Sequence, residues 1–273
     1  MKPPRIIIAA GGSGGHIFPA IALARTLRRD MPEAAILFVG GDRALDRRIF
    51  EKEGFAFRLL SSNKLVMRNK LLLPVFFLKL LLDLIRSFSI MVAYKPTAAI
   101  GFGGYVSFPV ILAAKMCRVA TTLHEQNVVP GRANAFLFRC VDRIAVSFEE
   151  TLRFLGAAAG KAVVTGNPIR RELFTDDRPA GLKKFGLDGA RRTILVMGGS
   201  QGAHRLNEIV VEALAGSDAD TRGAIQVIHL TGVKDYGWEL GRYDALGIAG
   251  SVHSFIDRVE EAYSASDIIV TRS

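Results

Sequence analysis

Apolar runs alternate with segments of helical periodicity along the first part of the chain. The apolar runs predict strands at 5–10, 35–39, 57–60, 98–101, 120–123, 143–146 and 162–164. The segments between them predict helices at 18–30, 43–53, 74–93, 107–117, 131–140 and 148–155. This alternation is typical of an α/β fold in which a mostly parallel sheet is covered on both faces.

A second set of apolar runs follows the polar stretch from Thr175 to Arg192. It predicts strands at 193–197, 225–230, 250–253 and 267–271. We therefore expect two α/β domains, residues 1–165 and 166–273, with a boundary near residue 165. Residues 266–273 read as a strand that stops where its loop should begin. Because ligands of open α/β sheets bind beyond the carboxyl ends of strands, we expect the second domain to be incomplete.

The same local pattern occurs near the start of each predicted domain. Apolar residues precede Gly-Gly-Ser-Gly-Gly-His at 11–16, and again precede Gly-Gly-Ser-Gln-Gly-Ala at 198–203. A strand, a glycine-rich turn and a helix start direct backbone N–H groups toward a ligand, so both segments predict phosphate sites. Neither has the G-x-G-x-x-G spacing of dinucleotide-binding folds, which argues against a nicotinamide-dependent oxidoreductase.

Three further segments place polar or glycine residues at predicted strand ends. They are Gly101–Tyr105, His124–Asn127 and the stretch from Gly166 to Arg171. His124 and Glu125 either form a proton-handling pair or belong to a plain turn. Similarly, Arg170 either clamps a phosphate or is a surface arginine of a basic protein. His16 in the first glycine loop either caps a helix or acts as an acid or base.

The composition narrows the class of ligand. A net charge of +10 and an isoelectric point near 9.9 favour an anionic partner. The basic residues are dispersed and form no recognisable nucleic-acid motif, so we expect a phosphorylated ligand or a membrane surface and no nucleic acid. The two cysteines, Cys117 and Cys140, have no metal-ligand or disulfide spacing.

The most hydrophobic segment is 71–92. A proline and three charged residues interrupt it and argue against a transmembrane span; they are Pro74, Lys79, Asp83 and Arg86. Two interpretations stay open: a buried core helix, or an exposed apolar patch that docks on an anionic bilayer. The flanking basic residues that would assist docking are Lys64, Arg68, Lys70 and Lys95.

Taken together, these segments resemble the MurG family of glycosyltransferases. The matching segments are 11–16, 101–105, 124–127, 166–170, 198–203 and 254–257, and their order and spacing agree along the whole chain. The family transfers N-acetylglucosamine (GlcNAc) from UDP-GlcNAc to undecaprenyl-pyrophosphoryl-MurNAc-pentapeptide (lipid I), which gives lipid II. The resemblance implies the GT-B architecture: two Rossmann-like domains with a cleft between them, the first binding the acceptor and the membrane, the second binding UDP-GlcNAc.

The resemblance also implies a cellular role and a set of site residues. The role is peptidoglycan synthesis on the cytoplasmic face of the bacterial cell membrane, with an anionic membrane surface and other cell-wall synthesis proteins as partners. The donor contacts carried over by position are Ser13, Gly14, Gly15, Asn127, Arg170, Ser200 and Ile256. The glycines at 11–15, with Gly103 and Gly104, would also border the acceptor pyrophosphate. Further substrate contacts are Tyr105 and, beside the donor diphosphate, Gln201 and Gly202.

The implied reaction inverts the anomeric centre by direct displacement. His16 is the first candidate for the base that takes the acceptor hydroxyl proton, and the His124–Glu125 pair is the second. Backbone N–H groups of the glycine loop and Arg170 would stabilise the leaving UDP, so we expect no obligatory metal and no other cofactor.

The chain departs from the family pattern at its C-terminus. The strand ending at Arg272 should continue into a Gly-Ala-rich loop that bears a ribose-binding glutamate, with a glutamine-rich segment further on. We therefore expect little or no activity from the 273-residue chain and an unstable second domain. The alternatives are another GT-B enzyme with a lipid acceptor, such as a diacylglycerol glycosyltransferase, and a nonenzymatic nucleotide-sugar-binding paralogue.

Overall fold

The computed structural model describes residues 3–61, 73–174, 177–199 and 202–272. The chain divides into two compact units, which we call the N-terminal unit (residues 1–170) and the C-terminal unit (residues 171–273). The division lies between Arg170 and Arg171, compared with residue 165 in the sequence prediction.

In the described part of the N-terminal unit, seven parallel strands form one sheet in the order β3-β2-β1-β4-β5-β6-β7. The strands are β1 (Arg5–Ala9), β2 (Ala35–Gly41), β3 (Ala56–Leu60), β4 (Ala98–Gly101), β5 (Ala120–Glu125), β6 (Arg143–Val146) and β7 (Ala162–Val164). The helices are α1 (Gly14–Asp30), α2 (Ala44–Glu53), α3 (Leu73–Tyr94), α4 (Gly104–Met116) and α5 (Arg132–Leu137). Two 3₁₀ helices, Glu149–Phe154 and Gly156–Lys161, precede β7.

Helices cover both faces of this sheet, and β1 shows how the sequence produces that arrangement. Successive side chains of a strand point to opposite faces. Ile7 and Ala9 pack with apolar residues of α3, α4 and α5 on one face. On the other face, Ile6 and Ile8 pack with residues of α1 and α2. A strand buried on both faces reads as a continuous apolar run, which is why its position could be predicted.

The strand order reverses between β1 and β4, which are hydrogen-bonded neighbours. The chain proceeds from β1 through β2 and β3 in one direction, and from β4 through β7 in the other. Open α/β sheets bind ligands beyond the carboxyl ends of the strands at such a switch point. The two glycine-rich segments that follow β1 and β4 therefore lie at the position where the fold favours a ligand.

The C-terminal unit repeats this scheme at smaller size. Its described strands are parallel in the order β10-β9-β8-β11; they are β8 (Arg192–Met197), β9 (Ile225–Leu230), β10 (Gly250–His253) and β11 (Ile268–Thr271). Its helices are α6 (Arg178–Phe185), α7 (His204–Ala215), α8 (Ala219–Ala224), α9 (Tyr236–Leu246) and α10 (Val259–Ala265). The two parallel sheets confirm the predicted α/β class and make each unit Rossmann-like.

Several predicted elements differ from the observed ones for local reasons. α1 begins at Gly14 rather than at 18, and α4 at Gly104 rather than at 107, so glycines predicted as loop residues form first helical turns. Residues 149–154 form a 3₁₀ helix rather than an α-helix. α6 lies within the predicted polar stretch, because the Asp177 side chain caps it through the Ala180 N–H and Gly186 ends it in the left-handed conformation.

α3 buries the polar residue Asp83 and exposes many of its large apolar side chains to solvent. Asp83 is 1% exposed, and its carboxylate accepts hydrogen bonds from the backbone N–H and the hydroxyl of Ser61. By contrast, Phe77 is 61% exposed and Ile85 is 53% exposed. The interpretation of 71–92 as a buried core helix is therefore wrong for the part of the segment that the structure describes. No helix in the described ranges has the length and apolar character to cross a membrane.

Candidate active site

The first glycine loop leaves β1 and enters α1 at Gly14. A Cβ on Gly11 would lie 2.6 Å from Asp46 Oδ2 and 2.8 Å from the Gly41 nitrogen, so only glycine fits there. Ser13 is the N-cap residue of α1, and its side chain makes no capping hydrogen bond. The Ser13 side chain therefore does not occupy the N–H groups of the first turn, at Gly14 and Gly15, and anion binding by this loop stays a prediction.

The second glycine loop packs against the first. Gly103 and Gly104 have φ values of +85° and +75°, which L-side chains rarely adopt. A Cβ on Gly104 would lie 2.7 Å from the Gly11 carbonyl oxygen, and one on Gly103 would lie 3.3 Å from His16 Nε2. The buried Ser107 hydroxyl lies 2.9 Å from the Ala9 carbonyl oxygen and 2.6 Å from that of Gly103, which ties the two loops together.

His16 lies where these loops meet. Its Nδ1 is buried and has no hydrogen-bond partner among the described residues. Burial lowers the pKa of His16 below its usual 6.5, and the charges of Glu125 and Asp46 oppose that shift. The imidazole is therefore neutral near pH 7, and a neutral imidazole with an unoccupied ring nitrogen can accept a proton.

His124 is also buried but has both ring nitrogens occupied. Gln126 Nε2 donates to His124 Nδ1 at 3.1 Å, and His124 Nε2 in turn donates to the Gly166 carbonyl oxygen at 3.1 Å. The ring stacks on Phe102 with 5.1 Å between centroids. Burial lowers the pKa of His124, and the Gly166 hydrogen bond and the Glu125 charge oppose this. These contacts hold the ring in place and leave it no nitrogen free for a substrate proton.

Glu125 holds the loop that follows β5. Its Oε1 accepts from the Asn127 backbone N–H and from Asn127 Nδ2, both at 2.9 Å. Its Oε2 accepts from the Gly131 N–H at 3.1 Å and from Asn134 Nδ2 at 2.8 Å. The side chains of His124 and Glu125 share no hydrogen bond in the described structure, so the proton-handling pair considered from the sequence is not formed.

The remaining predicted residues of the N-terminal unit lie around these loops. Arg170 is half-buried, with its guanidinium carbon 5.2 Å from the centroid of the Phe18 ring. Tyr105, in the first turn of α4, is 37% exposed. Asn127 is exposed, and its backbone carbonyl oxygen accepts from the Thr151 hydroxyl at 3.2 Å.

Comparison with known proteins identifies the family. The N-terminal domain of glycosyltransferase family 28 matches residues 6–146, and the C-terminal domain of that family matches residues 193–273. The transferase of Desulfotalea psychrophila named UDP-N-acetylglucosamine–N-acetylmuramyl-(pentapeptide) pyrophosphoryl-undecaprenol N-acetylglucosamine transferase is 39% identical over 98% of this chain and 71% of its own length. The Thermodesulfovibrio yellowstonii protein of the same name is 36% identical over 98% of this chain and 73% of its own.

Solved structures agree with this match. The crystal structure of Acinetobacter baumannii MurG superimposes with a TM-score of 0.69 at 26% identity, covering 98% of this chain and 71% of that one. The chain belongs to the MurG family. A Neisseria meningitidis UDP-GlcNAc 2-epimerase bound to UDP-GlcNAc has a TM-score of 0.68 at 12% identity over 98% of this chain and 77% of its own, which shows a shared fold alone.

In the C-terminal unit, the described residues of the MurG-family segment at 198–203 lie between β8 and α7, and the Gly202 N–H donates to the Gly199 carbonyl oxygen at 3.0 Å. Gly202 has a φ of +76°, and a Cβ there would lie 2.2 Å from the Thr231 carbonyl oxygen. Asn207 Nδ2 donates to the same oxygen at 2.9 Å. Ser200 and Gln201, both predicted donor contacts, lie outside the described residues. Ile256 is half-buried and packs in the apolar cluster that covers one side of β8.

Sequence reasoning missed two residues that organise the first site, Asp46 and Asn134. Asp46 is fully buried and accepts from the N–H groups of Gly12 and Gly41. Asn134 is 3% exposed and links Glu125 to the region of Gly103. The sequence does show an asparagine among the apolar residues of α5 and a carboxylate in the first turn of α2. Neither pattern indicates which distant residue is the hydrogen-bond partner. Among the described residues, no group of His, Cys, Asp or Glu is placed to hold a metal ion.

Proposed function

We propose that this protein transfers GlcNAc from UDP-GlcNAc to the C4 hydroxyl of MurNAc in lipid I, which gives lipid II for peptidoglycan synthesis. The MurG-family match over 98% of the chain supports the reaction. The observation that carries the assignment within the molecule is the meeting of two glycine loops and a neutral, partly unpartnered histidine at the switch point of the first sheet.

His16 is the proposed base. It accepts the proton of the acceptor C4 hydroxyl while that oxygen forms a bond to C1 of GlcNAc and the bond from C1 to UDP breaks. The pKa of His16 lies below 6.5 because of burial, so the imidazole is unprotonated at neutral pH and ready for this step.

Departure of UDP leaves negative charge on its diphosphate. The proposed stabilising groups are Arg170 and the first-turn N–H groups of α1, at Gly14 and Gly15. In the C-terminal unit, the proposed diphosphate contact is the segment 198–203 and the proposed uracil contact is Ile256. Ser13, Asn127, Tyr105 and the glycines at 103–104 remain proposed substrate contacts.

We also propose that α3 docks the N-terminal unit on an anionic bilayer. Its solvent side carries large apolar side chains: Phe77, Leu78, Leu81, Leu82, Ile85, Phe88 and Val92 are each more than 40% exposed. Exposed apolar patches of this kind mark interaction surfaces, and the net charge of +10 favours an anionic one. Docking would place the enzyme beside its lipid acceptor.

Transfer of labelled GlcNAc tests the reaction. The donor is UDP-GlcNAc, and the acceptors are a lipid I analogue and diacylglycerol. The assay compares the chain itself with a chimera. The chimera consists of this chain fused to the part of the Desulfotalea relative that lies outside the match. The Desulfotalea relative is the positive control. Transfer to lipid I by either protein supports the proposal, whereas transfer to diacylglycerol alone refutes it. UDP-GlcNAc binding without transfer by either protein would favour the nonenzymatic paralogue.

Vesicle binding tests the docking surface separately. Ile85→Glu should abolish sedimentation with phosphatidylglycerol vesicles, because burying a charge in the acyl boundary opposes docking. Ala157→Glu is the control, since Ala157 is an exposed residue of the 3₁₀ helix Gly156–Lys161, outside α3. Equal loss of binding in both variants would show a general charge effect and refute docking through the apolar side of α3.

A further inference from the structure

Phe18 is an aromatic residue of α1 that lies outside the core of the N-terminal unit. Its side chain is 41% exposed, whereas the neighbouring Ile17 and Pro19 are buried. Side chains of a helix lean toward its N-terminus and cover the turn before them. The Phe18 ring accordingly lies over the first turn of its own helix, with Cε2 3.0 Å from the position that a Cβ on Gly14 would take. Phe18 therefore borders the first glycine loop.

Gly14 leaves room for this ring. Its φ is not positive, so its backbone conformation alone would admit another residue. A Cβ there would lie 3.0 Å and 3.2 Å from two ring carbons of Phe18, closer than such contacts normally are. Gly14 and Phe18 are four positions apart and so share one face of α1. The absence of a side chain at Gly14 thus lets the ring rest on the backbone of the first turn.

Arg170 lies over the same ring. Its guanidinium carbon is 5.2 Å from the centroid of Phe18, within the distance of about 6 Å at which an aromatic face attracts a cation. The Arg170 side chain makes no hydrogen bond or ion pair with the described residues, so the Phe18 ring is the described contact that holds the guanidinium. A phenyl ring occupies none of the five N–H donors in ordinary hydrogen bonds, and all five stay available for a ligand.

The chain around Arg170 gives this side chain little other support. The Gly166 carbonyl oxygen accepts a hydrogen bond from His124 and anchors the segment four residues earlier. Ile169, next to Arg170, is 52% exposed. A long side chain in such a segment has many rotamers, and binding a ligand through it costs conformational entropy. A guanidinium that a ring already holds loses less of this freedom, so the ring should improve affinity for whatever Arg170 binds.

We propose that Phe18 is a positioning residue for the donor diphosphate: its ring holds the Arg170 guanidinium beside the first glycine loop before the nucleotide binds. The inference rests on the proposed function, which assigns Arg170 to the diphosphate of UDP-GlcNAc. Phe18 acts on the ligand through Arg170 and supplies no hydrogen bond of its own.

Binding of UDP and of uridine, followed by ligand-observed NMR, tests the proposal without requiring turnover. Uridine lacks the diphosphate, so a loss of affinity confined to UDP reports the guanidinium contact, and general damage to the fold would weaken both ligands. Phe18→Leu should raise the Kd for UDP about two- to fivefold, the effect of an exposed cation–π contact, and leave the Kd for uridine unchanged. Phe18→Tyr keeps the aromatic ring and should bind UDP like the wild type.

The chain offers a matched control at Phe154. This residue is 43% exposed, and the guanidinium carbon of Arg153 lies 4.9 Å from its ring centroid, so it forms the same kind of pair. Both residues belong to the 3₁₀ helix Glu149–Phe154, and no contact with the first glycine loop is described for either. Phe154→Leu should leave the Kd for UDP and for uridine unchanged.

A double-mutant cycle tests whether Phe18 acts through Arg170. Arg170→Gln should raise the Kd for UDP about tenfold, as expected for a lost hydrogen bond to a charged group. Once the guanidinium is absent, the ring has nothing to position. Adding Phe18→Leu to Arg170→Gln should therefore produce no further loss, and the two substitutions should be non-additive.

Three results would overturn the inference while leaving the proposed function standing. They are an unchanged Kd for UDP in Phe18→Leu, equal weakening of UDP and uridine in that variant, and an additive loss in the double variant. Failure of the wild-type chain to bind UDP at all would instead count against the proposed function, and the inference would fail with it.

Discussion

Replacing Glu125 by glutamine should destabilise the N-terminal unit by about 3 kcal/mol. Glu125 is 1% exposed, and each of its carboxyl oxygens accepts two of the hydrogen bonds described above. Glutamine keeps one oxygen, so whichever way the amide turns, two donors face an NH₂ group. Hydrogen bonds to a charged acceptor contribute about 1.5–3 kcal/mol each, and relief of the buried charge offsets part of their loss.

Thermal unfolding measures this effect. For a unit of this size, about 3 kcal/mol corresponds to a fall in Tm of about 6 to 12 °C. Glu150→Gln is the matched control, because Glu150 is exposed and has no hydrogen bond or ion pair among the described residues. The control should unfold within about 2 °C of the wild type, since surface substitutions rarely change stability much.

The same variant separates two roles for Glu125. If the Glu125 carboxylate is structural, Glu125→Gln lowers the stability of the N-terminal unit, and activity falls only in proportion to the folded fraction. If Glu125 is a general base, the substitution instead lowers kcat by about 10²- to 10⁴-fold and leaves stability unchanged. A Tm equal to the wild type, combined with a large fall in kcat, would refute the structural reasoning and return the His124–Glu125 pair to the mechanism.

Three further results are expected. His16→Gln should lower kcat by about 10²- to 10⁴-fold. Burial lowers the pKa of His16 below 6.5, so a pH–rate profile of the wild type should show the rate falling only as the pH drops through that lowered value. Burial lowers the pKa of His229 to about 4 in the folded protein. As the pH falls below 6.5, this imidazole therefore takes up a proton in the unfolded chain before it does so in the folded protein. Stability should therefore be full above pH 6.5 and decline by about 3 kcal/mol toward pH 4, measured by urea unfolding. Gly103→Ala should lower stability by about 1–2 kcal/mol, because alanine is strained at the positive φ of this position and its Cβ would crowd His16. Gly131→Ala is the control: its φ is −63° and its Cβ would meet nothing within 4 Å, so urea unfolding should show no change in stability.

The sequence predicted the strands well because burial on both faces leaves an unambiguous apolar run. β4, β6, β7, β9 and β10 have the bounds expected from that pattern. Helix starts were predicted less well: Gly14 and Gly104 have low helix propensity, so a pattern of apolar positions assigns them to loops. The tertiary contact between the two glycine loops, which brings Gly104 against Gly11, is also not visible in such a pattern.

The orientation of α3 lay beyond pattern analysis for a physical reason. A narrow polar stripe on an apolar helix normally faces solvent, and here Asp83 faces inward because Ser61 supplies its donors. Ser61 directly follows β3, twenty-two positions earlier in the chain. Likewise, Asp46 holds Gly12 across thirty-four positions. Periodicity reports which residues share a face, whereas partners at such separations depend on the finished fold.

Local similarity between the two glycine turns does not give them the same chemistry. In the C-terminal unit the turn rests on a closed network: the His229 nitrogens lie 3.0 Å from the Tyr243 hydroxyl and 3.1 Å from Asn207 Oδ1, so the imidazole has no nitrogen left for a substrate. In the N-terminal unit, His16 keeps Nδ1 unpartnered within the described structure. A proton can be accepted only where a lone pair is free, which is why we propose His16, beside the first turn, as the base and propose that the second turn holds a ligand.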